Sequence, residues 1–291
     1  MSSSTTTLFD YDSSLPLEAV STLVEEHGKW NQYDLRYRVT QSSEYGQAWL
    51  IRPPSPHPSP SVVFLHGGAQ DRSACIAEAT LLADIGIASL LIDLPQARRL
   101  PDFSHPEEEQ RALVETVIRI RRGLDYLASR PEMDRTRGAV VGFRFGGWIG
   151  SIIAAIDARV KTAVLVATAP SMTELWQFSP HPEIVSIRQT VSLDQMKRYA
   201  EATQAFNATE YLRLCSNKRL FFQCGAEDEI LAEEQRNQLL PFASDQNRLA
   251  VYPDASHLGI MLFSLGARRD RLDWLASELQ NGVMPGAPSY A

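Results

Sequence analysis

Four short segments of the 291-residue chain carry residue types that could take part in chemistry. They are residues 66–68 (HGG), 142–147 (GFRFGG), 225–229 (GAEDE) and 254–257 (DASH). Each follows an apolar run that is typical of a buried strand. Histidine and carboxylate side chains serve acid–base chemistry, and arginine binds anions. Because ligands of open parallel sheets bind at the carboxyl ends of the strands, we expect the four segments to form one site there.

Arg144 stands at the tip of the second segment. A guanidinium group stays protonated at every physiological pH, has no free lone pair and only donates hydrogen bonds. It therefore cannot act as a nucleophile. It can instead hold a carboxylate, an enolate or a phosphate through two parallel hydrogen bonds. We expect Arg144 to bind negative charge on a substrate.

The elements that must position these segments alternate between strands and helices. Apolar or weakly alternating runs predict strands at residues 33–40, 45–52, 61–66, 87–93, 138–143, 160–167, 219–224 and 248–252. Further runs predict helices at residues 15–26, 74–85, 106–129, 148–156, 231–240 and 266–280. Strands that are apolar on both faces and alternate with helices are typical of a mostly parallel sheet covered on both sides. The predicted fold class is therefore α/β.

Two segments interrupt this alternation. Residues 53–60 (PPSPHPSP) predict an extended surface loop, because proline cannot donate the hydrogen bonds of a strand ladder. Residues 170–216 contain short helical pieces with several aromatic side chains. An insertion of this length above a sheet is typical of a lid. We expect one domain over residues 1–291, with the lid at residues 170–216 inserted in it.

The four segments together resemble the α/β-hydrolase superfamily, most of all its branch of dienelactone hydrolases and prolyl-oligopeptidase-like esterases. That family has an oxyanion loop, a nucleophile elbow, an acid and a histidine in the chain order found here. The resemblance covers nearly the whole chain, from about residue 8 to residue 280. It implies the α/β-hydrolase fold, with a mostly parallel sheet, helices on both faces and a small helical lid.

The resemblance also implies roles for the acidic and histidine segments. His257 matches the general base of the family, and Asp228 matches the acid that orients this base. Glu227 and Glu229 are alternatives to Asp228 as the orienting acid. Arg144, at the tip of the elbow, does not match the nucleophile of the family.

The elbow departs from the family at its most important position. The family pattern is G-x-S-x-G, and this chain has Gly142, Arg144 and Gly146 in the corresponding places. Loss of the nucleophile of a serine protease lowers turnover by about 10⁶-fold. The resemblance therefore does not carry the serine-hydrolase activity over to this chain. Four other residues could be considered as replacement nucleophiles, but none has the sequence context of an elbow: Ser73, Cys75, Ser151 and Ser256.

The remaining parts of the family site depend on the backbone. The N–H groups of Phe145 and of the Gly67–Gly68 loop match the donors of an oxyanion hole, and backbone donors do not require a serine at the tip. Further substrate contacts are expected from Asp71, near a strand end, and from Trp176 and Phe178 in the lid.

These residues favour non-hydrolytic chemistry. A neutral His257 beside the fixed cation of Arg144 suits proton abstraction next to a carbonyl, with the developing oxyanion held by Arg144. We expect a lyase, decarboxylase, isomerase or cyclase that acts on a small carbonyl or carboxylate compound in specialised biosynthesis. Two alternatives stay open. One is an inactive ligand-binding homologue in which Arg144 pairs with Asp228, and the other is a hydrolase in which His257 and Asp228 activate water.

Composition limits the partners and the cellular location. The chain has 28 basic and 35 acidic residues, a formal net charge of −7, which argues against a nucleic-acid groove or a polybasic membrane surface. There is no secretory leader and no apolar run of about 20 residues, so we expect a cytoplasmic protein. The partner is expected to be a small molecule, with a homo-oligomer as a further possibility.

Neither a cofactor nor a metal is indicated by the sequence. The glycines of residues 142–147 lack the spacing of a phosphate-binding loop, and the six histidines are far apart. The three cysteines are too few for a disulfide framework, and we expect reduced thiols.

Overall fold

The computed structural model describes residues 7–41 and 45–280. Its nine strands are β1 (Val20–His27), β2 (Trp30–Arg38), β3 (Tyr45–Arg52), β4 (Ser59–Leu65), β5 (Ala88–Ile92), β6 (Met133–Phe143), β7 (Val160–Val166), β8 (Arg219–Glu227) and β9 (Arg248–Ser256). They form one sheet in the order β1-β2-β3-β5-β4-β6-β7-β8-β9. The pairs from β1 to β3 and the β3–β5 pair are antiparallel, and every other neighbouring pair is parallel. The predicted mostly parallel sheet is confirmed.

Helices lie between and beyond the strands. They are α1 (Ile76–Asp84), α2 (Pro106–Ser129), α3 (Phe145–Ile156), α4 (Met172–Phe178), α5 (Pro182–Thr190), α6 (Leu193–Thr203), α7 (Ala208–Leu212), α8 (Glu233–Asn237), α9 (Gly259–Leu262) and α10 (Leu265–Leu279). The helix predicted at residues 231–240 is shorter than expected, and a 3₁₀ turn at Leu240–Phe242 follows it. In the described part of the chain, no helix has the length and apolar character that crossing a membrane requires.

The central strands are buried on both faces. Every residue of β4 and β5 is buried. Leu65 packs into one apolar cluster, which includes side chains of α2 and α3. Its neighbour Phe64 packs into the other, which includes side chains of α1 and α10. Because successive strand residues point to opposite faces, this pattern requires a helical layer on each side of the sheet.

The helix predicted at residues 15–26 is wrong. The structure places the edge strand β1 there, paired antiparallel with β2 and with all eight of its residues exposed. The spacing of the apolar residues in this segment suggests a helix face, but β-branched residues such as Val20, Thr22 and Val24 fit a strand better. Pairing with β2 decides the conformation of this segment, and the local sequence of the segment does not show that pairing.

Four short helices, α4 to α7, lie within residues 170–216. Apolar side chains of α4, α5 and α6 form a separate cluster, in which the rings of Trp176 and Tyr199 pack against Phe103. Those of α7 belong to the cluster that contains Leu65. That these helices act as a lid stays a prediction, as does the assignment of residues 1–291 to one domain.

A sharp turn joins β6 to α3 at Arg144. This residue has φ 56° and ψ −111°, a backbone conformation that non-glycine residues rarely adopt. The turn requires glycine on both sides. A Cβ atom at Gly142 would lie 2.3 Å from the carbonyl oxygen of Gly146, and one at Gly146 would lie 2.1 Å from that of Leu65. The two glycines therefore allow the backbone approach that holds residue 144 at the tip.

We expect Gly146→Ala to destabilise the protein by at least 1–3 kcal/mol, because the added methyl group meets rigid backbone rather than a movable side chain. Urea unfolding followed by circular dichroism measures this change. The control is Gly266→Ala at the start of α10, where nothing lies within 4 Å of the added Cβ. It should be neutral or stabilising by up to about 1 kcal/mol. Equal unfolding free energies for the two variants would contradict the steric account.

Candidate active site

His257 and Asp228 meet because the strands before them, β9 and β8, are parallel neighbours. The His257 Nδ1 atom lies 2.8 Å from Asp228 Oδ2 and 3.0 Å from Oδ1. Both residues are buried. Of the three carboxylates considered for this role, Glu227 is exposed and Glu229 accepts the backbone N–H of His257 at 2.9 Å. Asp228 is therefore the carboxylate that contacts the imidazole ring.

The Asp228 carboxylate is fixed by the loop that follows it. Its Oδ1 atom accepts the backbone N–H groups of Ile230 at 3.0 Å and Leu231 at 2.8 Å. A carboxylate held in this way favours a proton on Nδ1 of His257 and leaves Nε2 as a hydrogen-bond acceptor. Among the described residues, Nε2 has no hydrogen-bond partner, and His257 lines a cavity. The imidazole is thus arranged to accept a proton from a ligand.

Arg144 is half-buried and lies at the same cavity. Its Nη1 atom donates to the carbonyl oxygen of Gly68 at 3.4 Å, and its buried Nε atom has no partner. Within residues 7–41 and 45–280, no carboxylate lies within 4 Å of the guanidinium. Burial lowers the pKa of Arg144, and the negative charges of Asp228 and Glu229 oppose that lowering. The Arg144–Asp228 ion pair considered for an inactive protein is therefore not formed in this structure.

The loop after β4 is fixed by His66, which is fully buried. Its Nε2 atom accepts the backbone N–H of Leu94 at 2.9 Å, so its Nδ1 atom carries the proton and donates to the carbonyl oxygen of Gly67 at 2.9 Å. Gly67 also makes room for the elbow side chain, since a Cβ atom there would lie 3.1 Å from Cδ of Arg144. Gly68 lines the cavity, whereas Gly67 does not.

Phe145 is the first residue of α3 and lines the cavity. The N–H groups of the first helical turn have no partners within the helix, and the helix dipole makes this end attractive to negative charge. Phe145 directly follows Arg144 and lines the same cavity as His257. Its role as an oxyanion donor stays a prediction.

The cavity has a volume of about 290 Å³. Most of its wall is apolar, and several of the wall residues belong to the predicted lid, among them Trp176. A volume of this size is enough to hold a small molecule. Arg144 and His257 both line the cavity.

Two residues predicted to contact the substrate do not line the cavity, and their roles stay predictions. Phe178 is 63 % exposed at the end of α4. Asp71 instead caps the turn that follows it and accepts the backbone N–H of Ser73 at 2.8 Å and its hydroxyl at 2.5 Å. Those hydrogen bonds lower the pKa of the Asp71 carboxyl.

The four residues considered as replacement nucleophiles lie outside the cavity wall. None of the four lines the cavity. Ser151 is fully buried and donates to the carbonyl oxygen of Gly147, and Ser256 accepts the backbone N–H of Gly259. Ser73 bonds to Asp71, and burial raises the pKa of the Cys75 thiol well above its ordinary value. The tip of the elbow therefore has no substitute among these residues.

Sequence reasoning missed several polar residues of the cavity. Glu109, Gln96 and His181 line it, as does Tyr199. The sequence contained little signal for them, because Glu109 is one of three consecutive glutamates at the start of α2. Trp148 is 2 % exposed in the core and also contributes to the cavity wall. In the described chain, no group of three or more histidine, cysteine or acidic side chains is placed to hold a metal ion.

Comparison with solved structures identifies the architecture. The acetyl xylan esterase from Paenibacillus sp. R4 has a TM-score of 0.76 and 18% identity, over 95% of this chain and 92% of that chain. Acetyl xylan esterase 1 from Thermoanaerobacterium sp. JW/SL YS485 has a TM-score of 0.74 and 14% identity, over 93% and 92% of the two chains. The dienelactone hydrolase from Anabaena variabilis ATCC 29413 has a TM-score of 0.57 and 18% identity, over 87% and 98%.

These likenesses confirm that the chain has the α/β-hydrolase fold. They include the dienelactone hydrolases that the sequence motifs resemble. No family model matches the sequence, and no curated protein sequence matches it. At 14–18% identity, the fold is what the structures have in common with this chain.

We expect a fluorophosphonate probe to leave the wild-type protein unlabelled, because Arg144 cannot attack phosphorus. Arg144→Ser places a hydroxyl on the strained turn beside His257 and should create a labelling site. Labelling is measured by intact-protein mass spectrometry. Arg144→Ser/His257→Ala is the control and should lose the label, since the general base is gone. Stoichiometric labelling of the wild type would show that another nucleophile serves this site.

Proposed function

We propose that this protein is an enzyme that uses His257 as a general base on a small carbonyl or carboxylate compound, without an acyl-enzyme intermediate. Asp228 orients the base, and Arg144 binds negative charge. One observation carries the proposal: a histidine with an unpartnered Nε2 atom and a guanidinium with no carboxylate within 4 Å, among the described residues, line the same cavity. Both groups are available to a ligand rather than to each other.

The proposed reaction begins with substrate binding. A carbonyl or carboxylate oxygen accepts hydrogen bonds from Arg144 and from the backbone N–H of Phe145. The His257 Nε2 atom then removes a proton from the carbon next to the carbonyl, and the electron pair of the C–H bond becomes part of an enolate. Two opposite charges about 4 Å apart attract each other by about 4 kcal/mol at an effective dielectric constant of 20, so Arg144 stabilises the enolate substantially.

The imidazolium formed in this step is stabilised by Asp228. Return of the proton to a different atom gives an isomerase, and loss of a leaving group from the enolate gives a lyase. Attack of the enolate on a second carbonyl within the same molecule gives a cyclase. Loss of carbon dioxide from a bound β-keto acid would produce an enolate in the same place and would make the enzyme a decarboxylase. The same three residues serve all of these reactions.

A hydrolase that uses activated water is the second candidate. The structures compared above include esterases, by their printed names, and the His257–Asp228 pair has the geometry that a base for water requires. In this reaction His257 takes a proton from water, and the resulting hydroxide attacks an ester carbonyl that is polarised by the Phe145 N–H. Arg144 is then dispensable.

Deuterium exchange tests the first candidate. We expect the wild-type protein to incorporate solvent deuterium next to the carbonyl of compounds from a panel of pyruvate, 2-oxobutyrate and acetoacetate in D₂O, as followed by proton NMR. His257→Ala should lower the exchange rate by about 10²–10⁴-fold, the usual contribution of a general base. The matched control is His57→Ala, in an exposed loop, which should exchange at the wild-type rate.

Other outcomes separate the alternatives. Hydrolysis of 4-nitrophenyl acetate that persists in Arg144→Ala and disappears in His257→Ala would favour the hydrolase. Thermal stabilisation by the panel compounds without deuterium exchange or ester hydrolysis would mean that the site only binds ligands. Either result would overturn the proposed proton abstraction.

A further inference from the structure

The cavity contains a buried carboxylate that the proposed reaction does not use. Glu109 lies in the first turn of α2 and is 6 % exposed, whereas its neighbours Glu107 and Glu108 are exposed. Its Oε2 atom accepts a hydrogen bond from Nε2 of Gln96 at 2.8 Å. In the described part of the chain, no lysine, arginine or histidine nitrogen lies within 4 Å of it.

Burial of this carboxylate without a cation is unfavourable. Burial raises the pKa of Glu109, and hydrogen bonds from Gln96 and from the Asp102 backbone, together with the charge of Arg99, offset only part of that effect. A hydrogen-bond donor on a ligand would add a further partner, because Glu109 lines the cavity in which Arg144 and His257 lie. The start of a helix favours acidic residues in general, but that preference is already met by exposed Glu107 and Glu108.

An indole N–H in the same cavity wall lacks a hydrogen-bond acceptor. Trp176 lines the cavity and is 7 % exposed, and its buried Nε1 atom has no hydrogen-bond acceptor. Two other tryptophans show the usual arrangement, since Trp148 donates to the carbonyl oxygen of Phe206 at 2.7 Å and Trp274 donates to Oγ1 of Thr162 at 2.9 Å. Buried polar groups are rarely left unpaired unless a ligand or water completes them.

We propose that Glu109 and Trp176 form a second polar subsite of the cavity, which binds a hydroxyl group of the substrate. A hydroxyl group can donate to the Glu109 carboxylate and accept from Trp176 Nε1, and no single apolar group could satisfy both. The substrate class is then a hydroxy-substituted carboxylate or carbonyl compound. This inference rests on the proposed function only in assigning the carboxylate or carbonyl group of the substrate to Arg144.

Paired ligands that differ by one hydroxyl group test the subsite. Isothermal titration calorimetry compares unbranched carboxylates of four to eight carbons with the corresponding ω-hydroxy carboxylates. The series of lengths is used so that one of them fits the distance between Arg144 and the subsite. We expect the hydroxy acid to bind about tenfold more tightly at the best length. Trp176→Phe, which keeps an aromatic ring, and Glu109→Leu should each reduce that preference to less than about threefold.

The matched control is Glu107→Leu, the same substitution in the same helical turn at an exposed position, which should keep the full preference. Arg144→Ala separates this inference from the proposed function. This variant should bind both ligands of a pair more weakly, and by the same factor. Unchanged binding would refute the anion site at Arg144. The hydroxyl preference would still test the subsite in that case. The subsite is overturned if no chain length shows a preference, or if the preference survives in folded Trp176→Phe.

Discussion

The turn between β6 and α3 is the constraint on which the site depends. Backbone atoms approach so closely there that neither Gly142 nor Gly146 can carry a side chain, and residue 144 is forced to a positive φ. This geometry sets residue 144 at the cavity and starts α3 with the N–H of Phe145 beside it. None of these features depends on the side chain at position 144, so the fold preserves the site whether or not that side chain is a nucleophile.

Much of this arrangement could be predicted because parallel strands bring their carboxyl ends together. Asp228 and His257 follow neighbouring strands, and their hydrogen bond is a direct consequence. Strand β1 could not be predicted in the same way, because its conformation depends on a partner strand rather than on its own periodicity. The directions of side chains outside the sheet could not be predicted from the sequence either. Asp71 caps the turn that follows it, and Phe178 is exposed at the end of a helix.

Glu109 shows a further limit of sequence reasoning. Three consecutive glutamates at the start of a helix look alike, and only the packing of α2 against the cavity distinguishes the buried one from its exposed neighbours. The comparison structures have a similar limit, because 14–18% identity reports on the backbone and not on which side chains occupy the cavity. The chemistry of this protein therefore has to be inferred from the groups in its own cavity.

Gly67 shows how the loop accommodates a long side chain at residue 144. The aliphatic part of Arg144 passes close to the α-carbon of Gly67, where any other residue would place a methyl or larger group 3.1 Å from Arg144 Cδ. A tip that already faces a glycine can exchange a short side chain for a long one without rebuilding the surrounding loop.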